Sequence, residues 1–263
     1  MSAVKMTILG SGSDGNCAYV ETPKIRLLVD AGFSGRQIEQ RLQGIGRTLD
    51  DIQAVLITHE HTDHVAGLAI LANKKQIPVY TNRLTADFLR ARFPQFNQWK
   101  IFRTGEEFDL EDLHVETFSV PHDAYDPVGY TISFGQQTIG FLTDLGYATR
   151  LVVERVKSCS ALVLETNHDL QLLRADTKRP WAVKQRILAR HGHLSNDAAA
   201  ELAGAIASDR LQHLYLSHLS EDCNTPELAR QAIQSKLDAL NITHISVHDT
   251  TQNIPNPTLE LVG

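Results

Sequence analysis

Three histidines and an aspartate fall within six residues in the run His59-Glu60-His61-Thr62-Asp63-His64. They follow Ala54-Val55-Leu56-Ile57, an apolar stretch with the pattern of a buried strand. In an extended chain alternate side chains point the same way, so His59, His61 and Asp63 converge beyond the end of that strand. His64 can face a second point as the chain turns toward a helix expected around Gly67 to Lys75. Imidazole and carboxylate together suit zinc, manganese or iron, and this spacing lets one loop serve two ions. Packing explains the cluster poorly, because polar groups gathered behind a buried strand carry a desolvation cost unless metal or hydrogen bonds satisfy them.

The H-x-H-x-D-H run, preceded by Leu27-Leu28-Val29-Asp30-Ala31-Gly32, resembles the signature of the metallo-β-lactamase superfamily, and the resemblance covers essentially the whole chain. It implies a further histidine after a strand, an aspartate shared by two ions, and a last histidine toward the C-terminus. The matching positions are His122 in Ser119-Val120-Pro121-His122-Asp123, Asp144 in Phe141-Leu142-Thr143-Asp144, and His218 in Leu216-Ser217-His218-Leu219-Ser220. By the resemblance, His59, His61 and His122 hold one ion, Asp63, His64 and His218 the other, and Asp144 bridges them. Asp63 and Asp144 thereby belong to the catalytic set as well. Asp30 has no place among the ligands and is expected to orient their loop through hydrogen bonds. Two divalent ions, zinc first with manganese and iron as alternatives, can generate a hydroxide near neutral pH and stabilise the oxyanions of an attacked phosphodiester. Asp144 would position that hydroxide between the ions.

Gly10-Ser11-Gly12-Ser13-Asp14-Gly15 matches the G-x-G-x-x-G fingerprint of dinucleotide-binding proteins. That fingerprint needs a helix to follow, whereas Cys17-Ala18-Tyr19-Val20-Glu21 reads as a strand, so the glycines are read as a tight turn beside the site. The same turn, carried on to Asn16, resembles the YycJ/WalJ-like group of the superfamily, as do Leu164-Glu165-Thr166-Asn167-His168-Asp169 and Gly192-His193-Leu194-Ser195-Asn196. Members of that group are regarded as nucleic-acid processing enzymes, with 5′-to-3′ DNA exonuclease activity ascribed to some. The resemblance implies a phosphodiesterase acting on nucleic acid, DNA ahead of RNA. It makes Glu165, His168 and His193 candidates for substrate-phosphate contacts or proton transfer. Structural roles compete: Glu165 could cap, and His193 could close a helix ending near Arg190. The alternative function is a small-molecule hydrolase acting on a thioester, lactone or cyclic phosphodiester, since fold and metals do not choose the substrate. Between the two motifs, Arg174, Lys178, Arg179, Lys184, Arg186 and Arg190 either line a phosphate track or form a solvated helix face. Tyr125 and Tyr147 are either stacking surfaces or packing residues.

The elements that must position these groups divide into two styles. Short strand-like runs fill the first half: Met6 to Leu9, Cys17 to Glu21, Arg26 to Val29, Ala54 to Thr58, Val79 to Thr81, Val115 to Val120, Tyr130 to Phe134 and Thr138 to Thr143. Strands and helices then alternate. Strands are expected at Ala161 to Glu165, Leu211 to Ser217 and Ile242 to Val247, and helices at Val183 to Ala189, Asp197 to Ser208 and Pro226 to Leu240. Thr225 and Asn196 are the expected N-caps of the last two helices. The pattern suggests two sheets sandwiched between helices, and the resemblance gives that α/β class its form, the metallo-β-lactamase αββα four-layer sandwich.

A chain of 263 residues with 42% apolar content can bury one sizeable core, and a single domain over residues 1–263 is expected. The formal charge of −6 argues against a surface coated in lysine for non-specific nucleic-acid binding, although a local basic groove is compatible with it. Cys17, Cys159 and Cys223 lie far apart and form no C-x-x-C pair, so they suggest neither a disulfide framework nor a cysteine-rich zinc site, and the compartment reads as reducing. With neither a signal-peptide core nor 18 consecutive apolar residues, a cytoplasmic protein with no membrane partner is expected.

Overall fold

The computed structural model describes residues 2–72 and 74–263. Its first six strands are β1 (Ala3–Gly10), β2 (Cys17–Glu21), β3 (Arg26–Val29), β4 (Ala54–Leu56), β5 (Val79–Asn82) and β6 (Trp99–Phe102). Seven more form a second sheet: β7 (Glu107–Leu110), β8 (Leu113–Ser119), β9 (Val128–Phe134), β10 (Gln137–Leu142), β11 (Ala161–Glu165), β12 (His213–Ser217) and β13 (Ser246–Asp249). The chain then returns as β14 (Leu259–Val262) beside β1. The sheet orders are β14-β1-β2-β3-β4-β5-β6 and β13-β12-β11-β10-β9-β8-β7.

Alternation along the strands separates three cores. Leu27, Val29, Ala54 and Leu56 meet Tyr130, Ile132, Phe141 and Val163 between the sheets. Leu28, Val55 and Ile57 point the other way, toward α1 (Gly35–Gly44), α2 (Thr62–Val65), α3 (Leu68–Leu71) and α4 (Arg83–Arg92) through Ile38, Val65, Leu68 and Leu89. Leu162, Leu164 and Leu216 face α5 (Arg150–Val156), and, beyond α6 (Leu170–Ala175) and α7 (Trp181–Ile187), α8 (Asn196–Ile206) and α9 (Pro226–Ala239). Burial on both faces is why these central strands read as continuous apolar runs rather than alternating ones. The result is the helix-sheet-sheet-helix sandwich of the metallo-β-lactamase fold.

Strands β3 to β6 run parallel, as do β10 to β13. β8 is two antiparallel steps from β10 and so runs in its direction. Their C-terminal ends meet along one edge of the sandwich, where open α/β sheets present ligand-binding loops.

Several boundaries differ from expectation for identifiable reasons. Ser195, not Asn196, caps α8: its hydroxyl accepts from Ala198 N–H at 3.2 Å, while Asn196 is buried in a reciprocal amide pair with Asn224. Thr225 caps α9 as read, with Pro226 in the first turn. The last strand of the second sheet starts at Ser246 because Asn241 turns left-handed at φ 57° and Ile242 N–H closes back onto Leu237. The helix expected around residues 67–75 is the single turn α3, and Asn73 within that range lies outside the described residues. Helices α1, α2, α4, α5 and α6 and strands β6, β7 and β14 were not legible; β6 and β7 expose about half their side chains and carry little apolar signal.

Candidate metal centre

His59 emerges just past β4, His61 occupies the N-cap position of α2, and Asp63 and His64 lie in its first turn. The short helix bends the extended run so that two faces of one loop serve two points. His59 Nε2 is 3.1 Å from His61 Nδ1, and His122 Nε2 is 3.3 Å from that same atom. Asp63 Oδ2 is 3.3 Å from both His64 Nε2 and His218 Nε2. Asp144 stands between the triads, with Oδ2 at 2.8 Å from His64 Nε2 and Oδ1 at 3.9 Å from His122 Nε2. The structure thus brings all seven residues singled out from the sequence together.

These donors suit divalent ions. Nitrogens held about 2.0–2.1 Å from one tetrahedral ion stand about 3.3 Å apart, the spacing found in the first triad. Asp144 Oδ2 is buried with no aligned hydrogen-bond donor among the described residues, an arrangement costly for a carboxylate without a counter-ion. Burial opposes the charge on Asp63, yet His64 and His218 hold its carboxyl well below the usual carboxylate range.

Each ring is aimed from behind. His64 Nδ1 meets Asp30 at 2.8 Å, His122 Nδ1 donates to the Gly192 carbonyl at 3.0 Å, and His59 Nδ1 contacts the Thr58 hydroxyl at 3.0 Å. Such partners fix the tautomer that leaves the other nitrogen free for a metal. Asp30 also accepts from Thr58 N–H at 2.9 Å, so it ties the start of the ligand loop to β3 as expected. Asp30, Asp144 and His218 all adopt left-handed backbone, with φ of 59°, 53° and 55°, at turns just past β3, β10 and β12. Strain of this kind persists where surrounding structure over-determines it, commonly at functional sites. No sequence pattern announces it.

The glycine turn acts on the site through hydrogen bonds. Ser11 Oγ accepts from His218 N–H and donates to Asn16, and Asn16 N–H donates to the Asp63 carbonyl at 2.8 Å. Gly32 closes the same junction: a Cβ there would stand 1.7 Å from the Asp63 carbonyl oxygen and 2.5 Å from Asn16 N. Neither is the end of a flexible side chain. Gly32→Ala is therefore expected to cost about 1–3 kcal/mol and to weaken metal retention by displacing Asp63. Denaturation midpoints and metal content check this; a variant matching the parent in both would refute it.

The other candidates are placed less uniformly. Glu165 is 0% exposed at the end of β11. Its Oε1 accepts from His193 Nδ1 at 2.7 Å and His218 Nδ1 at 2.8 Å, and its Oε2 from the N–H groups of Leu145 and Leu194. Burial would raise this carboxyl, but the neighbouring His193 and the two imidazole hydrogen bonds bring it down to about 2. His193 lines a cavity of about 240 Å³ together with His61, Asp63, His122, Asp144 and His218. His168 is 1% exposed and absent from the cavity wall; burial pushes its imidazole down to about 4, and neither ring nitrogen has a hydrogen-bond partner among the described residues. The basic run does not form one track. Arg179 and Arg186 line the cavity, whereas Lys184 is buried and donates to the Arg174 and Asp176 carbonyls. Arg190 covers the ring of Tyr147, its guanidinium carbon 4.4 Å from the centroid.

Residues 25–218 match the family described as Beta-lactamase superfamily domain. The chain is 37% identical over 255 residues to Exodeoxyribonuclease YycJ of Bacillus anthracis, spanning 95% of this chain and 96% of that one. It is 36% identical over 264 residues to Exodeoxyribonuclease WalJ of Streptococcus pneumoniae serotype 2, spanning 98% of each. Among solved structures, the metallo-β-lactamase fold protein YhfI from Bacillus subtilis superposes with a TM-score of 0.75 at 17% identity, over 98% of this chain and 99% of that one, a likeness of fold alone.

Proposed function

Because the chain belongs to the metallo-β-lactamase superfamily of metal-dependent hydrolases, in the group of the YycJ and WalJ proteins, we propose that it is a dinuclear phosphodiesterase that removes nucleotides from DNA ends in the 5′-to-3′ direction. The observation that carries this reading is the cavity itself, in which the convergent ligands face Arg179 and Arg186. Its volume of about 240 Å³ suits the end of a strand better than the middle of a duplex. The likeness to the two named exodeoxyribonucleases supports DNA over RNA and cleavage from an end; the 5′-to-3′ direction is part of the proposal and is read from the products of the test below.

His59, His61 and His122 would hold one ion and Asp63, His64 and His218 a second, with Asp144 standing between the two sets; zinc is the first choice, with manganese and iron as alternatives. Two such ions would supply Lewis acidity toward the phosphate and lower the pKa of a water near it. His193, whose Nδ1 is held by Glu165, presents its ring to the cavity as the proton donor to the leaving oxygen or as a phosphate contact. Glu165 acts through His193 and His218 rather than on substrate. Arg179 and Arg186 attract the flanking phosphates, although Asp176, Asp222 and Asp123 partly neutralise them. We further propose a single domain over residues 1–263 acting in the cytoplasm. Among the described residues no helix is long and apolar enough to cross a membrane, and the three cysteines are free and buried.

The test is incubation of metal-quantified protein with 5′-phosphorylated single- and double-stranded DNA and RNA, in zinc and in manganese, with His61→Ala as control. Release of mononucleotides that His61→Ala does not produce is expected. Two or three phosphate contacts should lower kcat/KM about tenfold between 50 and 200 mM salt on a single strand. Two bound metals with no cleavage of any nucleic acid would overturn the reading in favour of thioester, lactone or cyclic-phosphodiester substrates.

A further inference from the structure

A second groove opens beside the metal centre and shares His61 and Asp123 with the cavity wall. Its volume is about 340 Å³, and its remaining lining is Glu60, Thr62, Phe88, Arg92 and Tyr125. Phe88 and Arg92 stand four residues apart on α4 and so share one helix face. Tyr125 projects from the loop that follows β8. It is 62% exposed and Phe88 39%, with ring centroids 5.5 Å apart and planes tilted by 39°. Together the two rings form a contiguous exposed aromatic face at the rim of a polar centre.

The charges around the rings favour an anionic strand. Arg92 makes no ion pair or hydrogen bond among the described residues, unlike Arg83 and Arg90 on the same helix, which contact Asp87. Of the two acids in the lining, Asp123 pairs with Arg186, and Glu60 Oε1 accepts from Tyr125 N–H at 2.9 Å while its Oε2 is buried without a partner among the described residues, turned away from solvent. That last bond also ties the Tyr125 loop to the ligand run, so ring and metal centre are held in register. A free cation, exposed aromatic faces and continuity with a phosphodiester-cleaving site are the composition of a single-strand binding groove.

We infer that this groove is a nucleobase subsite, in which Tyr125 and Phe88 stack on the base of a nucleotide adjoining the scissile phosphate while Arg92 contacts the next phosphate. The inference rests on the nuclease reading above. Stacking on an aromatic side chain contributes about 1–3 kcal/mol per base, so Tyr125→Ala is expected to lower kcat/KM on single-stranded oligonucleotides about 5- to 150-fold. Tyr125→Trp should restore it. Because the side chain is exposed and the anchoring bond uses backbone, the alanine variant should keep the parent's melting temperature and metal content.

The experiment places 2-aminopurine in turn at each of the three terminal nucleotides of a single-stranded oligonucleotide and follows its fluorescence on mixing with the metal-loaded protein. Stacking predicts a quenching phase at one of these positions before the rise that marks release. That phase should vanish in Tyr125→Ala and in Phe88→Ala/Tyr125→Ala, and replacing that nucleotide by an abasic one should erase the difference between parent and variant in kcat/KM. If the parent cleaves oligonucleotides but shows no quenching at any position, or Tyr125→Ala matches it within twofold, the subsite is refuted and the nuclease reading stands. If the parent cleaves no oligonucleotide, both fall.

Discussion

Asp144→Ala is expected to lower hydrolysis by about a thousandfold or more and to release metal from the centre. The expectation follows from position: this carboxylate contacts His64 on one side and approaches His122 on the other. Its buried Oδ2 has no aligned donor to satisfy it among the described residues, so a cation is its natural partner. Bound ions contribute several kcal/mol of charge stabilisation, and each 1.36 kcal/mol is a factor of ten in rate. Burial resists ionisation of Asp144, yet the surrounding His218, His64 and His122 hold it well below the usual carboxylate range, which keeps it an anion at neutral pH. Elemental analysis beside turnover decides the matter. A variant that keeps the parent's metal content and more than a tenth of its activity would overturn the bridging role proposed for Asp144.

Glu165→Ala is expected to produce the largest loss of folding stability of any single change proposed, about 3–5 kcal/mol. One carboxylate satisfies four donors at 2.7–3.0 Å: two imidazoles and the backbone N–H groups of Leu145 and Leu194. Removing it strands the N–H groups of Leu145 and Leu194 and leaves both imidazoles only the more distant Asp144 Oδ1, at 3.3–3.4 Å, and the penalty for stranded donors exceeds the net worth of the bonds. Glu165→Gln keeps the volume but turns an NH2 group toward one pair of donors, so an intermediate loss is expected. Activity in the glutamine variant should fall about 10- to 100-fold, because His193 and His218 lose the partner that fixes their tautomers. Denaturant unfolding with and without metal separates the structural loss from weakened metal binding. If the metal-free alanine variant unfolds at the parent's midpoint, Glu165 is not the brace described.

The local part of the site was legible because strand periodicity and a six-residue spacing are properties of adjacent residues. His59, His61, Asp63 and His64 are aimed by one strand end and one turn of helix, and the run states both. His122, Asp144 and His218 could be named only through family resemblance, since nothing in their own neighbourhoods says that three further strands end at the same edge. The roles of the glycine turn and Glu165 were further out of reach. Ser11 holds the backbone of His218, 207 residues away, and Glu165 meets His218 across 53. Tyr125 illustrates the limit from the other side: sequence left it between packing and stacking, and only its exposure beside Phe88 distinguishes the two. By itself the sequence determined the strand order of burial, the caps of its strongest helix and the ligand loop, because each depends on residues a few positions apart. The tertiary structure decided which distant strand ends converge, which carboxylate stands between the histidine sets and which braces an imidazole, and which arginines reach the cavity. Those depend on sheet order and on left-handed turns at Asp30, Asp144 and His218, which packing from remote segments imposes and local propensity opposes.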